Sequence, residues 1–539
     1  MQIRKLHDRL AVSGQLARGD MARLAEIGFR SVICNRPDGE APDQPDWAEL
    51  AAEAADCGIA TRYIPVTREM IGPDTAADFC DAVMTLPGPV LAFCGSGARS
   101  ELLASEGSVV PALNQAVRAQ SGRAEGSAPE RHSIVIVGGG AGGISTAASL
   151  LARRKGLDIA IVEPSDTHFY QPGWTLVGGG VFSQSQTTRP MAHVMPKGVR
   201  WIRASAQGYD PANNAVLLDD GQRLEYDWLV VSCGNRLAWE DIEGLETTLG
   251  QHGVTSNYRY DLAPYTWQLV SRLDKGRALF TQPPMPIKCA GAPQKAMYLA
   301  CSAWEGRKVL GDLDVQFHNA GAALFGVADY VPALMETVDR YGIGLNFESN
   351  LVAVDGPGRQ ATFRQTGGEV TLDFDMLHVC PPQKGNAVVA GSDLADPAGY
   401  VEVDQFSLQH TRFANVFGLG DGCSSGNAKT AAAVRQQAPV VAENLLAVID
   451  GVTLQAGYDG YGSCPLTVER GKIVLAEFTY GGKLAPTFPS WLIDGTRPSR
   501  LSWFLKEKLL PPVYWHLMLK GHEVLAGSKP LADLRKTAG

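Results

Sequence analysis

Short apolar, β-branched runs recur along the chain, and segments with helical spacing separate them. Residues 30–34 (RSVIC), 61–66 (TRYIPV) and 90–93 (VLAF) read as strands, with helices near 47–57 and 75–84 between them. This alternation predicts a small α/β domain over residues 1–107. Composition then shifts over 105–131 (SEGSVVPALNQAVRAQSGRAEGSAPER) to Ser, Gly, Ala and Arg. That stretch, centred on 108–130, reads as a linker between two independently folded parts. The β–α alternation restarts at 132–137 (HSIVIV) and runs to about residue 450. It divides into stretches at 131–257, 258–372 and 373–450. A tail of different character occupies 451–539.

The strand at 132–137 runs directly into Gly138, Gly140 and Gly143 and then into a helix, ISTAASLLARR. Strand, glycines and helix stand in the order that lets a backbone turn approach a pyrophosphate at a helix N-terminus. The next strand ends in Glu163, twenty residues beyond Gly143, where an acid can accept a ribose hydroxyl. Near residue 415, NVFGLGDGC places Gly420 and Asp421 after another short strand, and KTAAAVRQQAPVVAENLLAVI follows as a helix. This resembles the second signature of two-dinucleotide-domain flavoproteins. The resemblance implies FAD, with Gly420 and Asp421 at the ribityl chain, and with Lys429, Thr430 and the helix N-terminus facing the isoalloxazine, where positive charge favours the reduced flavin. The fold class expected is α/β, with two Rossmann-like domains of the flavoprotein disulfide reductase type behind the small N-terminal domain.

The second Rossmann-like domain lacks a nicotinamide site. Its first strand, 277–281 (RALFT), precedes QPPMPIKCAGAPQKAMYLA, where prolines and Cys289 stand in place of a glycine turn. Its next strand, 312–318, ends in His-Asn rather than an acid. Electrons are therefore not expected from NADH. Ten cysteines are spread over 539 residues with no CxxC pair and no zinc-like spacing, so most read as small buried hydrophobes. Basic and acidic residues number 48 and 57, a net −9 that argues against a nucleic-acid partner. No apolar run reaches the roughly 20 residues needed to span a bilayer, and the charged start MQIRKLHDRL does not suit a secretion signal.

Residues 286–299 (PIKCAGAPQKAMYL), GLGD, 428–434 (AKTAAAV) and 458–468 (YDGYGSCPLTV) closely resemble sulfide:quinone oxidoreductases over roughly 131–525. The segments 170–180 (YQPGWTLVGGG) and 476–489 (AEFTYGGKLAPTFP) are typical of the subgroup that includes the mitochondrial enzymes. The resemblance implies a redox pair at Cys289 and Cys464, attacked by hydrogen sulfide to leave a persulfide, with Lys288 and Lys295 as nearby cations. Residues 254–258 (VTSNY) carry no third cysteine, so a two-cysteine enzyme is expected, handing sulfur to sulfite, glutathione or coenzyme A. Cys423, Cys233, Cys301 and Cys380 read as structural. Residues 501–520 (LSWFLKEKLLPPVYWHLMLK) read as an interfacial amphipathic hairpin broken by Pro511 and Pro512, with aromatics at headgroup depth and lysines at the surface. This suits a quinone acceptor and peripheral attachment to the cytoplasmic side of a bacterial inner membrane.

In the N-terminal part, the strand at 90–93 ends in Cys94, and Arg99 enters a helix after a four-residue loop. With AVSGQL (11–16) and ICNRPDGE (33–40), residues 1–107 resemble a small tyrosine-phosphatase-like domain linked to sulfur-metabolism enzymes. Phosphatases have five residues in that loop, and four is the rhodanese spacing. The general acid expected after the Ile-Pro strand is Thr67 instead. Sulfur transfer by Cys94, with Arg99 balancing a persulfide, fits better. Two alternatives stand beside this reading: an NADH:quinone dehydrogenase on the same scaffold, and a phosphatase-like regulator with a flavin redox sensor.

Overall fold

The computed structural model describes residues 3–7, 9–42, 44–110, 112–113, 129–426 and 429–538. Most of the expected linker, 114–128, lies outside the described residues. The chain forms two compact units, Met1–Pro129 with the turn Asp219–Gln222, and Glu130–Leu218 with Arg223–Gly539.

In the first unit the sheet order is Ile3–His7, Leu10–Ser13, Val90–Phe93, Ser31–Cys34, Ala60–Tyr63. Only the edge pair Ile3–His7 and Leu10–Ser13 is antiparallel. Val90–Phe93 is central and uniformly apolar because helices cover both faces. Val90 and Ala92 meet Phe79, Val83 and Leu103 on one side, and Leu91 and Phe93 meet Leu24, Leu50 and Ala54 on the other. The first strand was not expected, since its charged residues leave no clean alternation.

The second unit is built on two large sheets. The first runs Arg200–Ile202, Ile159–Val162, Glu130–Val137, Arg223–Val231, with Val416–Gly418 beside Arg223–Val231, all parallel, and continues through Ala215–Leu218 and Ala206–Asp210, which are antiparallel. Helices Ala141–Arg153 and Ala431–Ile449 pack together against it, one from each end of the sequence. The second sheet runs Val254–Thr255, Met376–His378, Gly276–Gln282, Leu313–Asn319, Gly344–Phe347, again parallel. Its strand Met376–His378 follows the three-stranded meander Asn350–Asp355, Gln360–Gln365, Gly368–Asp373, so this sheet reaches beyond the expected boundary at 372.

A hairpin, Gly462–Glu469 with Lys472–Phe478, matters most for the site. Antiparallel register pairs Ser463 with Glu477, Cys464 with Ala476, and Pro465 with Leu475. Side chains alternate between faces with a period of two. Cys464, Leu466, Val474 and Ala476 join the core of the second sheet. Ser463, Pro465, Leu475 and Glu477 all line the main cavity on the other face.

Candidate active site

The glycine turn opens a cavity of about 490 Å³ in the second unit. Gly138 has φ +105° with Ser232 O only 2.6 Å from where a Cβ would stand, and a Cβ on Gly143 would lie 1.9 Å from Gly138 O. Those two glycines are demanded by the turn and by close helix–strand packing. A Cβ on Gly140 would meet no protein atom within 4 Å. Glu163 accepts from the Gly139 N–H at 2.7 Å and the Ser165 N–H at 2.8 Å, and its carboxylate lines the cavity. Burial pushes its carboxyl above the usual carboxylate range.

Gly420 and Asp421 line the same cavity, and burial raises the Asp421 carboxyl as well. Thr430 caps the helix Ala431–Ile449, its Oγ1 accepting from the Ala433 N–H at 3.1 Å. The helix N-terminus therefore faces the cavity with its positive end. Lys429 also lines the cavity, but its ammonium donates to the carbonyl oxygens of Asp421 (2.8 Å) and Cys423 (3.0 Å). It clamps the Gly-Asp turn, a use that the sequence did not reveal. Trp174 Nε1, Thr175 Oγ1 and both polar atoms of Asn257 are buried without partners, and all three residues line the cavity. Buried polar atoms are rarely left unpaired. A glycine turn, a strand-end acid and unpaired donors fit a dinucleotide with a polar ring system.

Cys289 sits at the cavity wall and Cys464 behind it, with their sulfurs 3.5 Å apart. The Cys289 N–H donates to Lys429 O at 2.8 Å, so the cysteine loop is stitched to the segment that carries the Gly-Asp helix. Cys289 has φ +54°, the left-handed region that a non-glycine residue seldom adopts, at the turn into helix Ala292–Arg307. Lys295, one turn into that helix, places Nζ 2.9 Å from Cys289 Sγ and 3.7 Å from Cys464 Sγ. The Cys464 thiol donating to it, and then Lys295, hold the Cys289 thiol well below the ordinary cysteine value, against its burial. Cys464 is raised, first because it keeps its proton to donate to Cys289. The surroundings thus favour negative charge on Cys289 over Cys464. Lys288 is placed differently. Its Nζ donates to Gln171 Oε1 at 2.8 Å, beside the rings of Trp174 and Tyr258, and burial lowers its pKa.

In the N-terminal unit the structure brings Cys94 and Arg99 to one loop. Cys94 is buried at the end of the central strand, and its Sγ accepts from the Gly97 N–H at 3.1 Å. Burial alone would raise the thiol. The backbone N–H groups of Ser100, Arg99, Ser96 and Gly97 together outweigh burial and lower it. Arg99 donates through Nη1 and Nη2 to the two Glu40 oxygens at 2.6 and 2.7 Å, and Nη1 reaches Val66 O at 2.7 Å. Arg36 joins the same carboxylate at 3.0 Å, and Arg99 then Arg36 lower Glu40 to about 2. Arg36 and Glu40 both belong to ICNRPDGE, but nothing in that motif announced that they would meet Arg99.

Residues 132–281 match the pyridine nucleotide-disulphide oxidoreductase family. The mitochondrial sulfide:quinone oxidoreductase of Dictyostelium discoideum is 43% identical over 391 residues, covering 72% of this chain and 86% of that protein. The chain belongs to the sulfide:quinone oxidoreductase family. The mouse mitochondrial sulfide:quinone oxidoreductase is 35% identical over 399 residues, covering 74% and 88%. The solved sulfide:quinone oxidoreductase of Aquifex aeolicus covers 73% of this chain and 92% of its own at TM-score 0.62, with 19% identity, and shows the shared fold. A flavin is the cofactor that membership implies. Residues 2–111 match the phosphatase-like domain of beta-lactamase hydrolase-like protein. The Xylella fastidiosa protein of that name is 38% identical over 103 residues, only 24% of its length. The chain is therefore a sulfide:quinone oxidoreductase scaffold fused to a phosphatase-like module.

The carboxyl-terminal segment of this sulfide:quinone oxidoreductase departs from the expected hairpin. Winding continues from Arg500–Phe504 through Leu505–Leu509, Leu510–Pro512 and Val513–Leu517 to Met518–Lys520. Wide π turns on either side of Pro511 and Pro512 absorb the missing N–H groups and the ring clash, so the prolines do not reverse the chain. Nor are its polar residues all superficial. Lys506 is 5% exposed and donates to Thr467 Oγ1 at 2.7 Å and to Pro465 O at 3.3 Å, on the cysteine-bearing strand. Burial lowers its pKa strongly. Tyr514 and Trp515 are buried in the core of the first sheet, and Tyr514 bonds His168 at 2.7 Å. His168 in turn contacts Gly139 O at 3.1 Å, tying the segment to the glycine turn. Leu501, Phe504 and Leu509 remain exposed. Among the described residues no helix is long and apolar enough to cross a membrane.

One outcome follows from the Lys295 contact. In Lys295→Met the Cys289 thiolate loses its nearest cation, so its pKa rises. The pH midpoint for alkylation of Cys289 in the reduced protein should move alkaline by at least about one unit, and labelling below it should slow about tenfold per unit. Mass-spectrometric alkylation rates across pH measure this directly. An unmoved midpoint would show that the Cys464 hydrogen bond suffices.

Proposed function

We propose that this protein oxidises hydrogen sulfide and passes the electron pair through FAD to a membrane quinone, leaving sulfane sulfur for a small acceptor. The observation that carries this reading is the Cys289–Cys464 pair, 3.5 Å apart with Lys295 on both sulfurs, at the wall of the cavity that holds the dinucleotide turn. In the oxidised pair the sulfurs close to about 2.05 Å. Hydrosulfide attacks Cys464 Sγ, the S–S bond breaks, and Cys289 leaves as the thiolate its surroundings already favour. Cys464 then carries the persulfide, and Lys295 balances the new negative charge. Bound FAD supplies the two-electron acceptor for the Cys289 thiolate. A nucleophile such as sulfite, glutathione or coenzyme A takes the outer sulfur from Cys464, and the two cysteines rejoin as a disulfide, the electron pair released being the one that the flavin would take up.

The residues proposed to hold FAD are Gly138, Gly140, Gly143 and Glu163 at the adenosine and pyrophosphate end, and Gly420, Asp421, Lys429 and Thr430 at the ribityl and ring end. Quinone suits the apolar stretches of the cavity wall, which include Leu475, Phe488, Leu505, Leu510, Val513 and Met518. Exposed Trp491, Leu501, Phe504 and Leu509, interspersed with Lys508 and Lys520, support peripheral attachment to the cytoplasmic face of a bacterial inner membrane. For the N-terminal module, the amide-cradled Cys94 and Arg99 support persulfide handling. A phosphatase reading rests on the family match alone.

The test mixes the purified holoenzyme with substrate. Sulfide should bleach the flavin and NADH should not. Decylubiquinone turnover with sulfide should rise when sulfite, glutathione or coenzyme A is added in turn, and the acceptor with the largest effect is the physiological class. Bleaching by NADH, or none by sulfide, would overturn the reading.

A further inference from the structure

The hairpin that carries Cys464 has a second chemical face. On it Glu477 is 5% exposed, lines the cavity and sits across the ladder from Ser463. Its Oε1 accepts from the hydroxyls of Tyr461 and Thr487, and its Oε2 accepts from the Thr487 N–H at 3.1 Å. Among the described residues no cation pairs with it. A carboxylate buried without a counter-ion is costly, and it persists where donors hold it or where its proton is used. The strand is pinned from behind, since Tyr330 OH donates to Glu477 O and accepts from its N–H, both at 2.9 Å. Tyr461 and Thr487 line the cavity too, beside Leu475, Phe488 and Leu510. The hairpin is thus a partition, with thiol chemistry on one face and a carboxyl–hydroxyl network on the other, at an apolar stretch of the cavity wall.

Quinone reduction makes a demand that this network meets. Overall, hydrogen sulfide and quinone yield sulfane sulfur and quinol, a transfer of two electrons and two protons. At an apolar stretch of cavity wall, water is a slow proton source for a quinone oxygen, so a placed acid speeds the step. We propose that Glu477, taking up a proton from solvent and passing it on beside the Tyr461 hydroxyl, is the proton relay for quinone reduction. One proton accompanies the electron pair as a hydride equivalent. The other passes from the Glu477–Tyr461 network to a quinone oxygen as the O–H bond of the quinol forms. The network regains a proton from solvent before the next turnover. This inference rests on the quinone reading of the cavity, and the experiment separates the two.

Full-length holoenzyme of wild type, Glu477→Gln, Glu477→Asp and Tyr461→Phe is reduced anaerobically with sulfide, then mixed with decylubiquinone or with ferricyanide, which takes electrons without protons. In Glu477→Gln the expected result is flavin bleaching by sulfide at the wild-type rate and ferricyanide reoxidation unchanged. Decylubiquinone reoxidation should be slower by about 10²-fold. Its rate should also fall about tenfold per pH unit through neutrality, because the proton now comes from solvent. Tyr461→Phe should lose in the same half-reaction, and Glu477→Asp should recover most of it. Decylubiquinone reoxidation within about twofold of wild type in Glu477→Gln would overturn the proposal. So would an equal slowing with ferricyanide, or loss of bleaching in Glu477→Gln and Tyr461→Phe alike, since each marks a structural role. If wild type itself is not reoxidised by decylubiquinone, the quinone reading fails first, and the inference falls with it.

Discussion

Cys289→Ser and Cys464→Ser should each bind FAD as wild type does and lose flavin reduction by sulfide by at least on the order of 10³-fold. The expectation is strong because each sulfur has a bond-making role. Without Cys464 there is no disulfide for hydrosulfide to attack, and without Cys289 there is no thiolate to leave. Serine keeps the size and a hydrogen bond, but its hydroxyl does not form either bond. Retention of FAD is expected because the glycine turn, Glu163 and the Gly-Asp helix belong to other elements, and the hydrogen bond that links Cys289 to Lys429 uses a backbone N–H that serine retains. The visible spectrum reports binding, and anaerobic stopped-flow mixing reports reduction. Near-wild-type bleaching in either variant would remove that cysteine from the mechanism.

The second large effect is expected in the other unit. Cys94→Ser should abolish transfer of sulfur from thiosulfate to cyanide by the full-length chain, by about 10³-fold or more, while sulfide-driven quinone reduction continues. The loop amides lower a thiol that they cannot convert into a nucleophile once oxygen replaces sulfur. Arg99 stands ready for an anion, although Glu40 already takes both of its outer nitrogens. An incoming dianion must displace that carboxylate or share the charge with Arg36 beside it. Sulfur transfer equal to wild type in Cys94→Ser, together with aryl phosphate cleavage that depends on Cys94, would decide for the phosphatase reading.

The parts of the fold readable in advance are those whose signals are local. The runs at 90–93 and 132–137 are apolar throughout or nearly so because parallel strands are buried on both faces, so the strands announced themselves. Gly138 and Gly143 were readable for a related reason, since backbone approaches of 2.6 and 1.9 Å to a would-be Cβ admit no other residue. The edge strand Ile3–His7 was not readable, because part of it meets solvent and its charges mask the pattern. Pro511 and Pro512 misled: a proline pair signals a break locally, yet buried Tyr514, Trp515, Met518 and Leu519 hold the winding on course.

By itself, then, the sequence determined the α/β class, the order of glycine turn, helix and acid in the first Rossmann-like part, and the absence of a second glycine turn where Cys289 stands. It also singled out Cys289 and Cys464 through the motifs around them. Tertiary structure alone decided which groups surround those sulfurs. Cys289 and Cys464 are 175 positions apart, and Lys506, read as a surface lysine, lies buried on the cysteine-bearing strand. Glu477 meets Tyr461 and Thr487 only because the hairpin register turns it toward the cavity while neighbouring Ala476 turns away with Cys464. Backbone propensity acts over a few residues and leaves its trace in the local pattern. Charge, pKa and proton supply depend on which side chains come within about 4 Å, and long-range packing settles that.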